Sequence, residues 1–562
     1  MARTKHQSRR CCCLCLALLC VIAVVILCVV LFSKLRCSDG DFKHAAVAAD
    51  SQMCSEVGRD MLQRGGSAVD GAIAALLCTT LVHPQSMGLG GGAIFTILDK
   101  NGKVKVINSR ETVPKVFTPD LLRSCPKDFT SITGSKWIGI PGEIRGYEQA
   151  HRLYGKLPWA ELFQPAIKLA RDGFPLPPVL ARYLHIPMIK KLVEASPLCE
   201  IFCNKNKTVL QMGETLRYPQ LAETMAIIAK NGADAFYTGK ISQDLVKDVQ
   251  DAGGTLSLED LASYQARVTE PWTVPLGEYK LYIPPPPAGG AILGLVLNIM
   301  KGFNLSPSSV EGEQQVLTFH RFAEASKFAR GQKKSVRDPN FSSGKEAPRL
   351  IEDDFADRIR SMIRSNASRD PAYYNFTPSV DRQGTTHLSV LAEDGTAVSV
   401  TSSINRIFGS TIYSPKTGVI LNDQLLDFCG IADRMTAGEQ PPSSMAPSLL
   451  LSQSRGKTLV IGASGGSLIT SAMAQTIMNH VWFGKSLHDA VSAPLLFVDA
   501  SNGLNFESGF NERLREQLLE RGHVQGAWPR LHFFNVVNAV TKEGGCISAM
   551  SDLRKLGKAE GY

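Results

Sequence analysis

The 562-residue sequence lacks several features that would settle its class at once. It has no basic run interleaved with aromatics, and its net charge of +9 is mild, which argues against a nucleic-acid partner. No Gly-Lys-Ser/Thr follows the glycine-rich stretch Gly88-Leu89-Gly90-Gly91-Gly92, and no acidic residue stands at the dinucleotide distance. Those glycines therefore read as close backbone packing rather than a phosphate cradle. No second Cys/His cluster joins Cys199 and Cys203, so a zinc half-site is the weaker reading of that pair. Neither a metal nor an organic cofactor is expected, and no internal repeat is found. What remains is an ordinary globular composition, 44% hydrophobic and 20% charged, on a chain long enough to bury a large core.

The N-terminus stands apart. Arg3, Lys5, Arg9 and Arg10 precede an almost wholly apolar run from Cys11 to Phe32, long enough to cross a bilayer as a helix. A cleaved signal peptide is the alternative, but its apolar region is usually shorter and ends in small residues, whereas this one ends in Leu31-Phe32. The expectation is an uncleaved signal anchor: a cytoplasmic tail at 1–10, a transmembrane helix at 11–32 and a polar stalk at 33–43. The basic residues gathered before the run place the bulk of the chain outside the cell, as a single-pass type II membrane protein. Cys11, Cys12 and Cys13 at the membrane edge are candidates for palmitoylation or apolar filler. Five sequons, at Asn206, Asn304, Asn340, Asn366 and Asn375, favour an exterior, glycosylated domain.

Half of the 14 cysteines lie at or before Cys37. The seven beyond it, Cys54, Cys78, Cys125, Cys199, Cys203, Cys429 and Cys546, are an odd number, so at least one is left unpaired within the domain. Cys199 and Cys203 close a short loop and are the simplest pair. Cys54 and Cys78 lie on two successive expected helices, so a bridge between them is open. Which of Cys125, Cys429 and Cys546 is free is not decided.

Local patterns place the elements. His44 to Ala49 reads as a strand, Ser51 to Arg64 as a helix ending at Gly65-Gly66, and Ser67 as the N-cap of a helix from Ala68 to Val82, with Asp70 suited to its positive end. Strands follow at Ala93–Leu98 and Val104–Asn108, the second delivering Arg110 and Glu111 to its end. For Arg110 a surface salt bridge is the plainer reading on this ground alone. From Trp137 to about Gly302 the pattern is mostly helical. His320 to Lys334 reads as a basic helix with a solvated face, and Ser335 to Asp381 as an exposed polar segment. Pro441-Pro442-Ser443-Ser444 reads as a turn. The strand Leu459–Gly462 leads through Ala463-Ser464-Gly465-Gly466-Ser467 into a helix from Leu468 to Phe483, and a glycine turn at a helix N-terminus can hold an anion.

The centre of the chain is Gly384 to Asn405, two alternating runs joined at Glu393-Asp394-Gly395. Alternation with Asp-Gly between is a hairpin signal for a half-buried strand pair. A three-residue loop with Gly395 left-handed sets Thr385 opposite Ser403, His387 opposite Thr401 and Ser389 opposite Ser399; a two-residue loop would slip the register and turn Ser403 away. One face then carries a ladder of hydroxyls beginning at Thr385. A threonine at the mouth of a strand is where an N-terminal nucleophile would sit after a chain cut before it, although Thr and Ser are also common on solvated sheet faces.

Gly384-Thr385-Thr386-His387-Leu388-Ser389-Val390, Ser443-Ser444-Met445, Gly462 to Gly466 and Ser551-Asp552-Leu553-Arg554-Lys555 together resemble the gamma-glutamyltransferases, also called glutathione hydrolases, from about His44 to Tyr562. Trp137 to Gly142 and Tyr282 to Gly290 look most like the leukotriene-C4-cleaving branch. The resemblance implies an α+β N-terminal-nucleophile hydrolase, a four-layer αββα sandwich. Its precursor would cut itself before Thr385, leaving a large chain (44–384) and a small chain (385–562) associated as a heterodimer. It implies Thr385 as nucleophile, Ser403 as its hydrogen-bond partner and Gly465 and Gly466 as the oxyanion hole. Arg110, Ser443 and Ser444 would bind the substrate α-carboxylate, and Asn405, Gln424 and Asp427 its α-ammonium. Cys54–Cys78 and Cys199–Cys203 match the family's disulfides. The implied substrates are glutathione, its S-conjugates and leukotriene C4, with water, an amino acid or a dipeptide as acceptor. Three departures stand out: Ser403 for a threonine, Gln424 for a glutamate, and a short Cys429–Gln440 segment where several members carry a pocket-covering loop. An inactive membrane-anchored paralogue acting as a binding partner is the alternative.

Overall fold

The computed structural model describes residues 37–38, 40–126, 134–342, 346–376, 384–454, 456–499, 501–526 and 536–562. The tail and anchor expected for 1–32 lie outside these residues; among the described ones no helix is long and apolar enough to cross a membrane.

Two antiparallel sheets form the centre. The seven-stranded sheet runs in the order Glu560–Gly561, Ala46–Ala48, Thr385–Leu391, Ala397–Ser403, Gly92–Leu98, Val104–Asn108, Arg267–Thr269. The six-stranded sheet runs Cys546–Met550, Val536–Glu543, Thr458–Ser464, Ser448–Ser452, Tyr279–Ile283, Trp272–Leu276. The outer face of the first packs on helices, chief among them Ala68–Val82, every residue of which is buried. The outer face of the second packs on helices Gly290–Lys301 and Ile469–Ile477. The inner faces meet each other, which gives the four layers the resemblance implied.

Local chemistry accounts for much of this. Ser67 Oγ accepts from the Asp70 amide (3.1 Å), and Asp70 Oδ2 accepts from the Ser67 amide (2.8 Å), a reciprocal cap that fixes where the Ala68–Val82 helix starts. Close packing, as expected, explains the glycine run: a Cβ at Gly90, Gly91 or Gly92 would lie 2.2, 2.3 or 2.5 Å from the carbonyl oxygen of Ile420, Ser403 or Ser109.

Several expectations are corrected. The stretch from Trp137 to Gly302 is mostly helical as read, but it also holds the strands Arg267–Thr269, Trp272–Leu276 and Tyr279–Ile283; Pro275 is tolerated because its strand is the sheet edge. The basic helix, Gly312–Gly331, is not solvated: His320 and Lys327 are buried. Lys327 Nζ donates to Ser368 Oγ (2.7 Å) and His523 Nδ1 (3.0 Å), partners far along the chain that a local pattern does not reveal. Burial pulls the Lys327 ammonium down to about 8 against the opposing charge of Glu324. The polar segment after it contains the helix Asp353–Met362, which buries Phe355, Ala356 and Ile359. Pro441 to Ser444 runs without a turn. Finally, no described cysteine is free. Cys54–Cys78 and Cys199–Cys203 are bridged, and so are Cys125–Cys429 and Cys37–Cys546. The odd count arose from assigning Cys37 to the membrane half; it belongs to the folded domain.

Candidate active site

The hairpin adopts the three-residue loop. Gly395 has φ +82°, and the ladder pairs Thr385 with Ser403, His387 with Thr401 and Ser389 with Ser399. Both faces are buried, however, rather than one. Leu388, Val390, Val398 and Val400 face the helical layer, while the hydroxyl ladder faces the second sheet. There Ser389 Oγ donates to Asn538 O (3.0 Å) and Ser399 Oγ to Ile461 O (2.9 Å). His387 is held between Thr401 Oγ1 (2.9 Å) and Ser389 Oγ (3.0 Å), and a Cβ at Gly462 would come within 2.2 Å of its ring. The alternation therefore records a polar interface between sheets, not a solvated face.

Thr385 stands at the open end of that interface, 6% exposed. Its Oγ1 lies 3.3 Å from Ser403 Oγ. Ser403 Oγ donates to the Gly384 carbonyl (2.6 Å) and accepts from the Asn405 amide (2.8 Å). Gly384 is confined: its φ is +154°, and a Cβ would lie 2.4 Å from Asn405 O. The Thr385 carbonyl accepts from Lys555 Nζ (2.8 Å), which also donates to Ser464 Oγ (2.8 Å) and pairs with Asp50 (2.8 Å). Asp50 accepts further from Thr386 Oγ1 (2.8 Å) and Asn538 Nδ2 (2.7 Å). Burial pushes its carboxyl up, but the Lys555 charge, His83 and these hydrogen bonds outweigh that and hold it below the usual range. Lys555 and Asp50 have no role in the sequence reading. The only signal for Lys555 was its place in the terminal motif, and Asp50 had none beyond its position at a strand end.

Beside Thr385 the cleft is lined by Ser403, Asn405, Arg110, Gln424, Asp427, Ser443, Ser444 and Gly466. Gly465 does not line it but precedes Gly466 directly, the pair having φ +116° and +61° at the start of the helical stretch. Arg110 is fully buried, not a surface residue. Its Nε donates to Pro441 O (2.7 Å), its Nη2 donates to Pro442 O (3.0 Å), and its guanidinium forms an ion pair with Asp427. Holding those two carbonyls is what draws 441–442 out straight. Gln424 Nε2 donates to Asp427 Oδ2 (2.8 Å), and Gln424 Oε1 is buried with no hydrogen-bond partner. Asn405, at φ +78°, donates through Nδ2 to Asp423 O (3.1 Å). Glu111, next to Arg110, is fully buried; burial pushes its carboxyl up to about 8 despite the guanidinium.

Sequence and fold comparisons agree with this geometry. The family model described as Gamma-glutamyltranspeptidase matches residues 54–562. The chain is 46% identical to rat (Rattus norvegicus) glutathione hydrolase 5 proenzyme, covering 98% of both chains. It is 45% identical to the human (Homo sapiens) glutathione hydrolase 5 proenzyme, covering 94% of both. Among solved structures, cephalosporin acylase from Bacillus halodurans superposes with a TM-score of 0.83 at 25% identity, covering 93% of this chain and 96% of that one. The Pseudomonas nitroreducens gamma-glutamyltranspeptidase complexed with L-DON gives a TM-score of 0.53 at 28% identity, covering 58% of this chain and 96% of that one. With a family match over residues 54–562 and relatives 45–46% identical over at least 94% of the chain, this protein belongs to the gamma-glutamyltranspeptidase family of enzymes.

Proposed function

We propose that the chain cuts itself between Gly384 and Thr385 and then uses Thr385 to remove γ-glutamyl groups from glutathione, glutathione S-conjugates and leukotriene C4. Attack of Thr385 Oγ1 on the Gly384 carbonyl carbon forms an ester and frees the Thr385 α-amine. Water then hydrolyses the ester, leaving Gly384 with a carboxylate. The hydrogen bond from Ser403 Oγ to the Gly384 carbonyl favours this step by stabilising the charge that develops there. The α-amine so exposed has a pKa of about 8, so near neutral pH a useful fraction is free to act as base. Thr385 Oγ1 gives its proton to the α-amine and attacks the substrate γ-carbonyl, whose oxyanion is met by the backbone at Gly465 and Gly466; the amide C–N bond breaks, the donor's amine half leaves with that proton, and water or an acceptor amine then releases the glutamyl group from the ester.

The observation that carries this reading is the Arg110–Asp427 pair at the mouth of Thr385. A γ-glutamyl group ends in a carboxylate and an ammonium on one carbon. Arg110, with Ser443 and Ser444, suits the first; Asp427, Asn405 and the unpartnered Gln424 Oε1 suit the second. Gln424 supplies an acceptor without the charge of a glutamate. Ile292, Val336, Ile431 and Ile469 on the cleft wall supply an apolar surface for an S-substituent, which supports the conjugates and leukotriene C4. The type II anchor at 11–32 and an extracellular catalytic domain complete the proposal. The five sequon asparagines are all exposed, in keeping with glycosylation. The test is N-terminal sequencing of every fragment of the purified full chain, followed by a γ-glutamyl substrate panel. A small chain beginning at Thr385 is expected; well-folded but uncut protein would remove Thr385 as the nucleophile.

A further inference from the structure

The four bridges among the described residues divide into two kinds. Cys54–Cys78 and Cys199–Cys203 lie within the large chain, whereas Cys37–Cys546 and Cys125–Cys429 span the proposed cut. Cys125–Cys429 is set apart further: Cys429 itself lines the cleft that holds Asp427 and Gln424. It closes the five-residue 3₁₀ segment Gln424–Phe428, which carries both. Such a short segment has poor internal hydrogen-bond geometry and depends on its surroundings. On one side Leu425, Leu426 and Phe428 pack on Val113, Leu121 and Trp137. At Cys429 the chain is tied to Cys125, which ends the 3₁₀ turn Leu121–Ser124. Farther on, Glu439 is buried against Arg337, and the Val113 amide donates to its carbonyl (3.0 Å). The short segment after Cys429 is thus fixed at both ends.

We infer that the Cys125–Cys429 bridge is a positioning element for substrate recognition. It holds Asp427 and Gln424 of the small chain in place against Arg110 of the large chain, so that the α-ammonium and α-carboxylate are read together. The inference rests on the ammonium role proposed for Asp427. Cys37–Cys546 also joins the two chains but does so at the strand Cys546–Met550, on the sheet edge opposite Trp272–Leu276, and serves as the internal control.

The experiment compares two donors, a γ-glutamyl anilide and its glutaryl counterpart, which lacks the α-amine. In the Cys125→Ala/Cys429→Ala variant, KM for the γ-glutamyl donor is expected to rise about tenfold while kcat stays within about threefold, and kcat/KM for the glutaryl donor stays within about twofold. The Cys37→Ala/Cys546→Ala variant is expected to leave both donors unchanged. An equal loss on both donors, no change on either, or the same effect in the control would overturn the inference. If the bridge variant fails to fold, matured wild-type enzyme is reduced with dithiothreitol and alkylated, and modified cysteines are counted by mass spectrometry. The KM rise must then track modification of Cys125 and Cys429, and a rise that tracks Cys37 and Cys546 instead sinks the idea. Asp427→Ala separates the two levels. If it leaves the ratio between the donors unchanged, the ammonium assignment falls and the bridge's role with it. If it changes the ratio and the bridge variant does not, only the bridge's role falls.

Discussion

Lys555 shows how much one residue near the chain's end can carry. Its ammonium meets Asp50, the Thr385 carbonyl and Ser464 Oγ, and Asp50 is fully buried. Removing one partner of a buried ion pair leaves the other uncompensated, which typically costs about 3–5 kcal/mol. Lys555→Met is therefore expected to lower unfolding stability by about that amount and to slow the cut; adding Asp50→Asn should recover much of the stability. Urea unfolding of the two variants decides it: no recovery in the double variant would mean Asp50 is not the charge left exposed. If Asp427 holds the substrate's ammonium as proposed, Asp427→Ala should abolish γ-glutamyl turnover while sparing the cut, because that role does not touch the Gly384–Thr385 bond. A small chain that still begins at Thr385, together with lost turnover, is the expected pair of readings. The Thr385–Ser403 contact was legible in the sequence because hairpin register is local, whereas Lys555, on the Thr385 carbonyl, was not. Arg110 and Asp427 are 317 positions apart, so no local pattern could tell a buried Arg110 from a surface one; only the family motif pointed to the cleft.

Among elements, the hairpin was read almost to the residue and yet half misread. Alternation gave its register but not its surroundings, since a polar face looks the same whether it meets water or a second sheet. The helix Gly312–Gly331 failed in the same way: its own Glu324 stands near Lys327, but Ser368 and His523, which complete the buried cation's hydrogen bonds, lie far along the chain. The interface between sheets makes two predictions. A Cβ at Gly462 meets the His387 ring, so Gly462→Ala should cost about 1–3 kcal/mol, the usual range for overpacking, measured as a shift in the unfolding midpoint. Burial lowers His387 to about 3, whereas an unfolded imidazole titrates near 6.5. The unfolded chain then takes up the proton that the folded chain refuses. The stability His387 contributes is complete above about pH 6.5 and is eroded as pH falls towards 3. The urea midpoint should drop between pH 7 and pH 5, and less so in His387→Gln. An equal drop in both would assign the acid sensitivity to other groups.

At the scale of the molecule, the two proposed chains are interleaved rather than adjacent. Ala46–Ala48 lies between Glu560–Gly561 and Thr385–Leu391, and Gly92–Leu98 pairs with Ala397–Ser403; in the other sheet Tyr279–Ile283 pairs with Ser448–Ser452. Each sheet takes strands from both sides of the cut, and two disulfides cross it. After the cut, denaturing electrophoresis without reductant should show one species and with reductant two. Removing Cys125 and Cys429 should leave that pattern intact through Cys37–Cys546. Two bands without reductant would show that the crossing bridges do not form.

The Arg110–Asp427 pair has a consequence for what the proposed cleft would prefer. The two charges stand within reach of each other in one cleft. On the proposed roles, a visitor bringing only an anion gains nothing from Asp427, and one bringing only a cation gains nothing from Arg110. Only a molecule that carries both charges on one carbon would engage both residues together. On that reading the site works as a conjunction, weak towards either input alone, and the simple carboxylates and amines that crowd any biological fluid would compete poorly for it.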